Sequence, residues 1–193
     1  MKNKSIITLA LAILLIAVLP ACRDNSKGGQ STTSTTTQQA NSVVDDTLPA
    51  APSFPILYMV GILNQKDSVE IGKKIKELDS LKLAQVAVVI TNDLKGMNAH
   101  DYATKLGNKW GVGHKETNDG ITIVIKPKMD DTPEGGGKAA IATGLGMEKI
   151  LSNDMCLSII QDVMVPEFQQ NKYGEAVENA LDKIKDILTG DKD

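Results

Sequence analysis

Hydrophobic and polar positions divide the chain into three regimes. Behind Lys2 and Lys4, Ile6 to Leu19 form an uncharged, almost wholly apolar run. From Arg23 to Pro52, Ser, Thr, Gln, Asn, Gly and Pro take over, and no apolar period survives. Beyond Phe54 the chain acquires the periodicities of folded elements.

Gln65 to Leu81 carries Ile71, Ile75 and Leu78 at i, i+4 and i+7 among Lys and Glu residues, which predicts an amphipathic helix. Ala84 to Thr91 is a nearly continuous aliphatic run that suits a strand covered on both faces. Asn98 to Trp110 places Tyr102, Leu106 and Trp110 at helical spacing and stops at Gly111. Ile121 to Ile125, entered through Asn118-Asp119-Gly120 and closed by Pro127, is a second strong strand, so strand, helix and strand predict a right-handed parallel unit. Lys128 to Gly137 reads as a mobile connection to a third strand, Lys138 to Thr143, antiparallel to the second. Two helices follow, Asp154 to Glu167 and Asn171 to Leu188, with Pro166 expected at their boundary. Phe54 to Val60 supplies a candidate edge strand. The expected fold class is α/β: a three-layer α/β/α sandwich with a small mixed sheet of about four strands flanked by helices.

Composition narrows the functional classes. With 41% hydrophobic and 23% charged residues in 193, the chain has the make-up of one soluble globular domain plus its ends. A net charge of −3, with one Trp and two Phe, argues against nucleic acid, which needs basic surface and stacking platforms.

The ends read as targeting. Residues 1–21 have the layout of a bacterial export signal, and Ala21-Cys22 with Leu19 resembles the lipobox of bacterial lipoproteins, from which Pro20 departs. That resemblance implies lipidation of Cys22 and a membrane contact through its acyl chains. Cleavage before Cys22 removes Lys2, Lys4 and no acid, taking the side-chain charge from −3 to −5. Residues 22–53 are then a Ser/Thr-rich tether, reaching on the order of 30 Å as a flexible coil. Residues 54–190 are the folded domain, placed in the bacterial cell envelope, membrane-anchored and extracytoplasmic.

Residues 56–188 resemble the TPM-domain family of exported bacterial and thylakoid-lumen proteins. The matching pieces are Gly61-Ile62-Leu63, the aliphatic strand ending in Thr91, Tyr102-Ala103 with Leu106, and Trp110-Gly111-Val112-Gly113 with Lys115. They continue in Asn118-Asp119-Gly120, Gly144-Leu145-Gly146-Met147-Glu148, Ile159-Ile160, Pro166-Glu167-Phe168 and Tyr173. Physically, Gly111 and Gly113 suit positive φ, Gly120 closes a turn, and Gly144 and Gly146 permit a tight passage whose N–H groups could face an anion. No dinucleotide fingerprint is complete, since Lys149 stands where a third Gly is needed.

The family resemblance implies weak acid phosphatase activity and a divalent cation, Ca²⁺ or Mg²⁺, in some members. Oxygen donors for such an ion are Asp93, Asn118, Asp119 and Asp154, which flank strands or turns. Tyr58 replaces an Asp that many members carry, which removes one donor. His100 and His114 read as surface groups, and Cys156 as an inert core thiol. No catalytic residue is assigned. The reading that follows is a binding or accessory module for membrane or envelope proteins, with a weak metal-assisted acid phosphatase using Asp93, Asp119 and Asp154 as the alternative.

Overall fold

Asn64 starts the first helix, α1 (Gln65–Ser80), through a reciprocal cap: its side chain accepts from the Asp67 N–H at 2.9 Å, and the Asp67 carboxylate accepts from the Asn64 N–H at 3.2 Å. The same logic opens α2 (Ala99–Trp110), where the Asn98 side chain accepts from the Asp101 N–H at 2.8 Å. That helix ends because Gly111 turns left-handed at φ 64°. A computed structural model describes residues 47–53, 56–58, 61–129 and 136–190. Residues 1–46, with the segment read as an export signal and Cys22, lie outside the described residues, as do residues 130–135 of the connection to the third strand.

Four strands, β1 (Ile56–Tyr58), β2 (Gln85–Ile90), β3 (Gly120–Lys126) and β4 (Lys138–Thr143), form one sheet in the order 1-2-3-4. The first three are parallel, with Ile56 opposite Val88 and Gln85 opposite Gly120; β4 returns antiparallel, with Ile123 opposite Ile141. Alternation along the strands builds two cores. Val86, Val88 and Ile90 with Ile121, Ile123 and Ile125 face α1 and the C-terminal helices, whereas Val89 and Val124 with Ala140 and Ala142 face α2. Each fully buried Leu or Ile contributes about 1.5–3 kcal/mol relative to exposure.

The crossovers β1–α1–β2 and β2–α2–β3 step the same way across the sheet, yet their helices lie on opposite faces. For steps in one direction, a given hand puts the helix on a fixed face, so the two crossovers have opposite hands. One of them departs from the right-handed rule that the sequence reading applied to the second.

The C-terminal part corrects one boundary. Residues Asn153–Gln169 run on as α3 (Asn153–Ser158), a π-helical segment (Ile159–Met164) and α4 (Val165–Gln169), so Pro166 sits inside a helical run. The π turn accounts for it. The Val165 N–H reaches back to the Ile160 carbonyl, five residues away, and this widened ladder accommodates a ring that has no N–H to give. The chain breaks only at Gln170–Lys172, before α5 (Tyr173–Thr189) packs on α1. Cys156 is 3% exposed and burial pushes its thiol up to about 11, in keeping with a core role.

Residues 47–53, which composition assigns to the tether, lie on α2. Leu48 is 4% exposed and joins Tyr102 and Leu106 in the second core. The Lys109 ammonium donates to the Leu48 carbonyl at 2.6 Å and the Trp110 indole N–H to the Pro49 carbonyl at 2.9 Å. Leu48→Ala is expected to cost about 2–3 kcal/mol, read as a lower urea midpoint with an unchanged slope. A midpoint equal to that of the parent chain would show that this segment is not part of the cooperative fold.

Candidate functional site

The turn into β3 collects what the strand pattern keeps apart. Asn118 takes φ 51°, and its N–H bonds the His114 carbonyl at 2.7 Å, closing a loop that points Asp119 inward. Asp119 is 5% exposed. One of its oxygens accepts from the His114 backbone N–H at 2.8 Å, and the carboxylate lies 3.0–3.1 Å from the ring Nδ1. An ionised carboxylate only accepts, so Nδ1 carries the proton. Burial opposes the charge on Asp119, but hydrogen bonds from the His114 N–H, Thr117 and the His114 ring outweigh it and hold the carboxyl below the usual range.

On its other side the imidazole meets α1. His114 Nε2 lies 3.3 Å from Asp79 Oδ1, an ion-pair approach that lacks hydrogen-bond alignment. Both ring nitrogens therefore face carboxylates, Asp119 on the β3 turn and Asp79 at the end of α1. His114 is thus not the plain surface group that the sequence suggested, whereas His100 is exposed on the first turn of α2. A cleft of about 370 Å³ opens beside Asp79, bordered by Lys76, Gln85, Trp110 and residues 51–53.

Around this turn three passes of chain pack backbone on backbone. The Gly113 N–H donates to the Gln85 side-chain carbonyl at 2.7 Å, the Gly144 N–H to the Gly120 carbonyl at 2.8 Å, and the Gly146 N–H to the Asn118 carbonyl at 3.0 Å. The Gly144 and Gly146 N–H groups, read from sequence as able to face an anion, are thus spent within the fold. A Cβ on Gly120 would fall well inside contact with the Val112 carbonyl oxygen, and one on Gly146 would do the same to the Thr117 oxygen.

The candidate cation donors are not brought together. Asp93 follows the end of β2 and Asp119 precedes the start of β3, and because these strands are parallel and in register the two stand at opposite ends of the sheet, about 20 Å apart by strand rise. Asp93 instead accepts from the Lys95 N–H and ammonium, both at 2.7 Å, and these hydrogen bonds hold its carboxyl below the usual range. Asp154 lies exposed in the first turn of α3, whose cap is Ser152, accepting from the Met155 N–H at 3.4 Å. Asn118 serves the turn through its backbone. The side chain of Tyr58 lies outside what is described, though its backbone pairs with Ile90 in β1. Among the described residues no group of three or more His, Cys, Asp or Glu side chains is arranged to hold a metal ion. Asp93, Asn118, Asp119 and Asp154 as placed here do not fit one Ca²⁺ or Mg²⁺ ion.

The missed partnership had little signal in the sequence. Asp79 and His114 lie on separate elements, and only the αL turn at Asn118 and the parallel pairing of β2 with β3 bring them together.

Comparison with known proteins agrees with this architecture. The model of the TPM domain matches residues 58–187. The N-terminal domain of a protein from P. gingivalis superposes with a TM-score of 0.59 at 22% identity, covering 70% of this chain and 82% of that one. The N-terminal domain of a protein from Corynebacterium glutamicum does so with a TM-score of 0.53 at 11% identity, covering 76% and 89%. Similarity at these identities is one of fold. No curated protein matches the chain. A single model spanning two-thirds of the sequence, from the first strand to the last helix, settles the family: the chain belongs to the TPM-domain family.

Proposed function

We propose that the protein is a lipid-anchored, extracytoplasmic TPM-domain protein that acts as a binding or accessory module for membrane or envelope proteins. The observation that supports this reading is apolar surface left open between β4 and α3 and along α3: Leu145 is 76% exposed, Ile150 50%, Met155 37% and Leu157 53%. Of these, Ile150 and Met155 line one apolar cleft between the C-terminal helices, and contiguous exposed apolar surface is the usual mark of an interaction site. Lys2, Lys4, the apolar run to Leu19 and Cys22 support export and anchoring, and no helix among the described residues is long and apolar enough to cross a membrane.

Two measurements test the two halves of the proposal. Cys22→Ala should leave the chain unprocessed or release it from the membrane fraction, because the acyl chains supply the attachment at about 0.8 kcal/mol per buried CH₂. A processed Cys22→Ala chain still retained by membranes would remove the anchor. Cross-linking and pull-down from envelope membranes should return the same partner repeatedly, and failure to do so would remove the binding role.

A further inference from the structure

The C-terminal helices splay into a trough that the packing of the domain does not fill. It lies between the α3–π run and the last turns of α5 and encloses about 740 Å³. Its apolar lining is Ile150, Met155, Ile159, Val163 and Ile187. Its rim carries Asp154, Asp162 and Asp186 against one cation, Lys183. The lining positions on the α3–π run extend from residue 154 to 163, about 13 Å at helical rise, or some two and a half turns.

We infer that this trough receives an amphipathic helix of a partner protein whose flanks carry Lys or Arg. The inference rests on the binding-module reading above and names the partner's chemistry. An apolar floor between two helices is the groove into which a third helix lays residues spaced i, i+3 or i+4, and i+7. The three carboxylates select basic flanks and reject acidic ones. The π turn supports a shaped site, since such turns are rare and concentrate where a helix serves function.

The alternatives from within the molecule fit poorly. The segment Arg23 to Pro52 lacks the apolar period a groove needs. A second copy docking symmetrically through the same trough would bring one acidic rim against another.

The test uses the full-length protein in its native cells, with a photoreactive amino acid at position 155 or 187 and, as control, at the exposed position 104 on the α2 face. The trough positions are expected to cross-link to one segment of one protein, and that segment to read as a basic amphipathic helix. Asp162→Lys combined with Asp186→Lys should lower that yield about tenfold, while thermal melting of this variant, altered at the exposed Asp162 and the half-buried Asp186, stays near the parent value. Cross-links to lipid, to a second copy of the chain or to an acidic or non-amphipathic segment overturn the inference, as does absence of any cross-link or indifference to the charge reversal. A partner captured only from position 104 would overturn the trough and leave the module reading standing. Silence from every position would end both.

Discussion

Gly120→Ala and Gly146→Ala are each expected to cost about 3 kcal/mol or more, which for a domain of this size lowers the melting temperature by roughly 6–12 °C. In both, the added methyl group meets a backbone carbonyl oxygen, of Val112 or Thr117. A flexible side chain could swing away, but a carbonyl moves only with its strand or turn. Each turn is also held by its own hydrogen bonds, Gly144 to Gly120 at 2.8 Å and Gly146 to Asn118 at 3.0 Å, so retreat breaks these as well. The control is Gly61→Ala, where nothing lies within 4 Å of the new carbon, and stability should stay within about 0.5 kcal/mol. Urea unfolding of the three variants decides the matter. Equal midpoints for Gly61→Ala and Gly146→Ala would mean that the backbone stacking is not tight.

The second large effect belongs to Asp119. Asp119→Ala leaves the His114 N–H and ring without their acceptor in a site that is 5% exposed, at an expected cost of about 2–3 kcal/mol near neutral pH. The pH dependence has a definite sign. Because the folded carboxyl lies below its ordinary value, its contribution is fully present above the unfolded value near 3.8 and is lost as pH falls through the folded one. The parent chain should therefore lose stability over an acid window that begins near pH 4, and the Asp119→Ala chain should show less of that decline. If the difference between the two persisted unchanged to pH 2, the carboxylate charge would not be the source of the stabilisation.

Local chemistry made much of this fold legible. The aliphatic runs Ala84 to Thr91 and Ile121 to Ile125 had one reading as covered strands and became Gln85–Ile90 and Gly120–Lys126, and Asn98 and Gly111 marked both ends of α2 within a residue. Pro166 misled because its usual meaning assumes a regular α-helical ladder, and the π turn before it changes the ladder. Leu48 was invisible as a core residue because one apolar side chain in a polar stretch has no period to reveal it. The site was less legible still. Asp119 could be picked out as a turn carboxylate, but its bond to His114 and the approach of Asp79 depend on how α1, the loop and β3 converge in space. Asp93 and Asp119 look alike in sequence, since each adjoins a strand; only the parallel register sends them to opposite ends of the sheet.

The placement of Leu48 also bears on how the domain is presented. Residues 47–53 reach the domain along α2, on one face of the sheet, and the trough belongs to the helical layer on the other. Tension arriving from the N-terminal side is taken first by Leu48 and its two backbone anchors, Lys109 and Trp110, so the sheet stands between the gripped side and the receiving side. A load applied at residues 47–53 and one applied at the trough would thus act on different layers, and a pull that frees Leu48 would loosen α2 before it disturbed α5.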